Sequence, residues 1–113
     1  MKKTEMLKKN YEFKNVLTKG KFYIEKEIEI FILKNNQKRN FLGIAVGTKN
    51  GKAFQRNKAK RLIREAYKNL EERIKNGYSI VVLLKKDIDI NDMKYIDILN
   101  EMENTFKKAN IIS

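Results

Sequence analysis

With 113 residues the chain can build one modest hydrophobic core but not two, so a single domain over residues 1–113 with one main site is expected. Its 26 Lys and Arg against 14 Asp and Glu leave a net charge of +12, which points to a polyanionic partner, nucleic acid ahead of an anionic membrane surface. The chain has no Cys and no His, which removes disulfides, thiolate metal sites and the commonest acid–base catalyst; it also has no apolar run long enough for a membrane span or a signal-peptide core, so a cytoplasmic protein is expected.

There is no Pro, no internal repeat and no Gly/Ser linker to mark a domain boundary. Asn10 can cap a short helix whose Phe13, Val16 and Leu17 share a face, with Gly20 as its stop. From Phe22 to Leu33 the period shortens to two. Ile28, Ile30 and Ile32 fall on one face of a strand, and Glu27, Glu29, Phe31 and Leu33 on the other. Glu25, Glu27 and Glu29 read as the solvent edge of this strand. The polar stretch Lys34 to Asn40 makes a turn and Phe41 to Thr48 resumes β composition, which predicts an antiparallel hairpin.

The Asn50-Gly51 turn precedes a second helix, predicted over Phe54 to Asn76, in which Ala59, Leu62, Ile63, Ala66, Tyr67, Leu70 and Ile74 form an apolar stripe. Tyr78 to Leu84 has the continuous β-branched character of a strand buried on both faces. Asp87 to Asp92 has acidic spacing like that of a calcium loop, but Asp92 stands where the sixth-position glycine belongs and Ile98 where the glutamate belongs; a capped turn is expected instead. A last helix begins near Asp92 with Ile96, Leu99, Met102 and Phe106 on one stripe. The predicted order is α-β-β-α-β-α.

The second helix poses the functional question. Seven Lys or Arg occur from Lys49 before the first acidic residue, Glu65. Arg56, Lys60 and Arg64 follow one another at i+4, with Asn57, Arg61 and Lys68 beside them, on a ridge expected opposite the apolar stripe. Such a run can be a solvated face. A solubility face, however, mixes signs, whereas like charges four apart cost a few tenths of a kcal/mol per pair. Guanidinium forks of one sign suit a backbone of phosphates.

The stretch GKAFQRNKAKRLIREAY, Gly51 to Tyr67, resembles the signature of the bacterial ribonuclease P protein subunit, usually Arg-Asn-Arg followed by Lys-Arg and a further Arg. Arg56, Asn57, Lys60, Arg61 and Arg64 match it. Lys58 stands where Arg is usual, which keeps the charge and loses the bidentate fork. Leu7 to Gly20 resembles the opening segment of that family, so the resemblance spans nearly the whole chain.

The resemblance implies an α/β (α+β) two-layer sandwich, with a central, mostly antiparallel sheet and a left-handed β-α-β crossover that patterning alone could not reveal. It implies that the protein binds a catalytic RNA subunit and precursor tRNA, and that the assembly removes the 5′ leader by phosphodiester hydrolysis. Magnesium would be held mainly by the RNA, so the protein alone would be inactive and would need no catalytic side chain. Lys52, Arg56, Asn57, Lys58, Lys60, Arg61, Arg64 and Lys68 are the implied RNA-binding residues. By periodicity alone Phe13, Leu17 and Phe31 are core packing; the resemblance instead implies that they line a cleft for the single-stranded leader, with Leu17 an apolar wall where Phe is common. No membrane and no protein partner are expected. A noncatalytic ribosomal or other structured-RNA binding protein fits charge and size equally well.

Overall fold

The computed structural model describes residues 1–112. Five strands and three helices run in the order β1 (Thr4–Met6), α1 (Asn10–Lys19), β2 (Lys21–Ile24), β3 (Ile28–Lys34), β4 (Asn40–Ala45), α2 (Ala53–Leu70), β5 (Tyr78–Leu84) and α3 (Tyr95–Lys108). They form one mixed sheet in the order β1-β4-β5-β3-β2. β1 and β5 run parallel to β4 on either side of it, while β3 is antiparallel to β5 and to β2. The β-α-β crossover is therefore β4–α2–β5, and parallel pairings match antiparallel ones in number because β1 adds a second.

β5 takes the centre because its apolar run suits burial on both faces: Ile80, Val81 and Val82 are all fully buried. On one face, Ile30, Leu42, Ile80 and Val82 meet Ala59, Ile63, Tyr67 and Leu70 of α2 and Ile98, Met102 and Phe106 of α3 in a single core. Each fully buried Ile, Leu, Val, Met or Phe among them contributes roughly 1.5–3 kcal/mol by leaving water. This is the expected helix-on-sheet sandwich. α1 adds a partial layer on the opposite face, where it contacts β3 and β5 and buries Val16.

Three local expectations are corrected. Phe22 to Leu33 is two strands, because the chain reverses at Glu25–Glu27 with Glu25 N–H donating to Ile28 O at 2.9 Å. β3 and β4 are not a hairpin, since β5 lies between them. The Lys34–Asn40 connection instead straddles the start of β5: Asn35 N–H donates to Gly77 O at 2.9 Å, and Tyr78 N–H donates to Asn40 Oδ1 at 2.9 Å. α2 ends at Leu70 rather than Asn76. Glu71 is buried there, accepting from Lys3 N–H at 3.2 Å, and Ile74 bridges to Ile112.

The acidic edge is also not what alternation implies. Glu27 is 8 % exposed, and its backbone N–H donates to Glu101 Oε1 at 2.8 Å, so α3 clamps the β2–β3 turn. Burial, then a hydrogen bond with Glu101, then the charges of Glu101 and Asp97 push the Glu27 carboxyl up to about 7, against the opposing charge of Lys26. Before α3, Asp89 accepts from Asn91 N–H at 2.9 Å and caps the turn Ile90–Asp92, as expected; the helix itself starts at Tyr95. No described helix is long and apolar enough to cross a membrane.

Candidate nucleic-acid interface

The entry to α2 is fixed by backbone chemistry. Gly51 has φ +149°, a region L side chains avoid, and a Cβ there would stand 2.6 Å from Gln55 Oε1. That same oxygen accepts from Lys52 N–H at 2.9 Å, satisfying one of the free donors at the helix start. Arg56 Nη1 donates to Gly51 O at 2.8 Å and ties the first turn to the loop. At the other end of α2, the buried Tyr67 hydroxyl pairs with Thr4 Oγ1 at 2.7 Å, anchoring β1; burial pushes its pKa up to about 12.

This register corrects the expected position of the ridge. An i+4 step overshoots a full turn by about 40°, so Arg56, Lys60 and Arg64 wind outward along the flank of the buried stripe and are half-buried. The face opposite Ala59, Ile63 and Leu70 carries Asn57, Lys58, Arg61 and Lys68, all exposed, with Lys52 exposed at the helix entrance. Lys68 lies 3.7 Å from Glu65 in an exposed pair of little energetic weight. Among the described residues Lys52, Arg56, Lys58, Lys60, Arg61 and Arg64 have no carboxylate partner. The eight residues expected to bind RNA are thus together on one helix and its entrance, as two lines on which six cations have no carboxylate against them.

The other face of the sheet carries the second constellation. Strand register sets Phe22, Phe31, Val81 and Gly43 in one row, and Ile24, Glu29, Leu83 and Ala45 in the next. α1 lies over part of this face. A Cβ on Gly43 would stand 2.6 Å from Phe13 Cε1, so the glycine admits the Phe13 ring against the sheet. Phe31 is half-buried and packs on Phe22 with ring centroids 4.9 Å apart; Leu17 is 37 % exposed. Beside them, a concavity of about 730 Å³ is lined by Ile24, Glu29, Ala45, Leu83, Lys85 and Lys86.

Phe22 is the functional candidate that alternation missed. In an uninterrupted strand it would share the buried face of Ile28 and Ile30. The hairpin at Glu25–Glu27 instead pairs it with Phe31, and cross-strand partners share a face. Its ring is 49 % exposed.

The sequence profile of the family described as Ribonuclease P matches residues 1–110. The chain belongs to the ribonuclease P protein family. It is 40 % identical over 110 residues to the "Ribonuclease P protein component" of Clostridium botulinum (strain 657 / Type Ba4), covering 96 % of this chain and 97 % of that one. It is 39 % identical over 110 residues to the protein of the same name from Clostridioides difficile (strain 630), covering 96 % and 95 %. The ribonuclease P protein structure from Staphylococcus aureus superposes with a TM-score of 0.82 at 30 % identity, covering 96 % of this chain and 97 % of that one. The Thermotoga maritima structure gives 0.82 at 28 % identity, covering 92 % and 96 %. The family's signature segment, Gly51 to Tyr67, falls on α2 and the loop before it, and α1 lies beside the uncovered sheet face that carries Phe22 and Phe31.

Proposed function

We propose that this chain is the protein subunit of ribonuclease P, acting in the cytoplasm with a catalytic RNA subunit to remove the 5′ leader of precursor tRNA. The observation that carries this reading is the pair of cationic lines on α2, seated on a buried stripe and, apart from Lys68 beside Glu65, without carboxylate partners among the described residues. Arg56, Asn57, Lys58, Lys60, Arg61 and Arg64, with Lys52 and Lys68 at the ends, would hold RNA phosphates. Phe13, Leu17 and Phe31, joined by Phe22, would take the single-stranded leader, because an exposed ring offers a stacking surface to any base.

Magnesium supplies charge neutralisation and water activation in phosphodiester hydrolysis. The α2 face offers the amide of Asn57 among cations, with Glu65 already beside Lys68, a poor donor set for a hard dication that prefers carboxylate and phosphate oxygens. That composition favours magnesium held on RNA phosphates, with the protein orienting substrate and screening charge.

The test is to mix the chain with a bacterial ribonuclease P RNA and assay 5′ processing at magnesium levels where that RNA alone is poorly active. The protein should restore cleavage and do nothing alone. Metal-dependent cleavage by RNA-free protein, or no effect on the RNA, would refute the proposal; the latter outcome would favour a noncatalytic structured-RNA binder.

A further inference from the structure

Phe54 is 69 % exposed, more than any other large apolar side chain among the described residues. Single exposed apolar residues are common and need no function. Phe54 differs in its surroundings. It stands in the first turn of α2, and at about 100° per residue it shares the outward line of Lys58 and Arg61, with Asn57 alongside. No acidic residue occurs between Lys49 and Arg64.

Of the other exposed rings, Tyr95 of α3 is 38 % exposed and, like Phe54, has no ring or cation against it among the described residues, whereas the remaining two are partnered. Phe22 packs on Phe31, and Lys9 Nζ lies 5.7 Å from the Tyr11 ring centroid. Phe54 has neither a ring nor a cation against it among the described residues. A free aromatic face set among unpaired cations is the combination that holds unpaired nucleotides, with phosphates on the charges and a base on the ring.

We propose that Phe54 is a stacking platform for one unpaired nucleobase of the RNA subunit, whose flanking phosphates lie on Lys58 and Arg61. The inference rests on the function proposed above and adds a base-contacting residue to a surface otherwise made of charge. The RNA subunit is the occupant because α2 packs on the sheet face opposite the one that carries Phe31 and α1. The outward side of α2 therefore points away from the cleft assigned to the leader.

The experiment measures RNA-subunit affinity for the parent, Phe54→Ala, Phe54→Leu and Phe54→Tyr across a salt series, with folding checked by circular dichroism. Phe54→Ala and Phe54→Leu should bind about 5- to 150-fold more weakly, with an unchanged slope of log affinity against log salt, because the ring neutralises no phosphate. Phe54→Tyr should bind like the parent. Since the chain has no Trp, Phe54→Trp supplies a unique fluorophore, expected to be quenched by the RNA subunit and not by precursor tRNA alone. Parent-like binding by Phe54→Ala, full rescue by leucine, or equal quenching by precursor tRNA would each overturn the stacking assignment while leaving the subunit function intact. Failure of the parent itself to bind the RNA subunit would overturn the function and the inference with it.

Discussion

Arg56→Ala separates the loop contact that the structure gives this side chain from the phosphate contact proposed for it. Its guanidinium has five N–H donors, one of which is directed at Gly51 O at 2.8 Å, so the Nη2 edge is left for a phosphate. Removing the side chain deletes a partly buried hydrogen bond to the loop, worth about 1 kcal/mol, which for a domain of this size lowers Tm by roughly 3–6 °C. It would also delete the proposed phosphate contact, which should reduce the magnitude of the salt slope for RNA-subunit binding by roughly 0.7–0.9. Arg64 is the control. It lies two turns along the same flank with no protein partner among the described residues, so Arg64→Ala should show the same change in slope with stability within about 0.5 kcal/mol of the parent. Arg56→Lys keeps the charge and loses the fork, so a slope like the parent's with weaker affinity would indicate bidentate contact. Thermal melts and filter-binding or fluorescence titrations over a salt series give both numbers. If both alanine variants keep the parent's slope, the flank is only a solvated face; if Arg56→Ala melts with the parent, the Gly51 bond contributes nothing.

Phe31→Ala and Phe22→Ala should each weaken holoenzyme binding of leader-bearing precursor by roughly 1–3 kcal/mol and leave mature tRNA unaffected; equal loss for both ligands would mean that the rings only pack. Glu27 carries the pH dependence. Its folded pKa of about 7 exceeds the ordinary glutamate value of 4.5, so the folded state holds the proton more tightly, and stability should fall as pH rises between these values. Glu27→Gln should remove that fall, seen as a urea-midpoint difference from the parent that grows from pH 5 to pH 8; a flat difference would refute the assignment. Glu103, held below the usual range chiefly by its hydrogen bond from Arg73, acts in the opposite sense and only at lower pH, so the windows stay apart. Ile63→Ala, at a position with no exposure, should cost about 2–5 kcal/mol in chemical denaturation, whereas the half-buried Leu62 should cost less; equal costs would place the helix in a different rotation.

The parts legible in the sequence are those set by local pattern. β5 is announced by an unbroken apolar run, and α2 by a stripe that recurs every three to four residues. The cations of α2 were likewise legible as a set, but their angle to the core was not, since it depends on which residues the sheet selects for burial. β1 was invisible because three residues, of which only Thr4 is buried, carry no period; pairing with β4 and the Tyr67 hydroxyl place it. The β2–β3 turn lacks Gly, Pro or Asn-Gly, so nothing local marks it. It is held by side chains distant in sequence: Glu101 accepts from Glu27 N–H, and the Thr105 hydroxyl donates to Glu25 Oε2 at 2.7 Å. That same non-local turn pairs Phe22 with Phe31 on the uncovered face, so the missed strand break and the missed exposed ring have one cause.

The segment from Asn40 to Leu84 links the two proposed RNA surfaces mechanically. Gly43 and Ala45 of β4, with Val81 and Leu83 of β5, floor the aromatic face, while α2, which joins these strands, carries the cations behind the sheet. Interior packing is close to crystalline and resists shear, and Ala59, Ile63 and Leu70 are at most 1 % exposed against that sheet. The distance between the two surfaces is therefore set by a buried core rather than by a flexible loop. A protein that must hold a catalytic RNA with one face and a substrate strand with the other needs this rigidity, because an error of an ångström in relative position would misalign the scissile phosphate against chemistry performed by a different molecule. Under the proposed function, a chain without His or Cys would contribute geometry and charge and leave the chemistry to the RNA subunit.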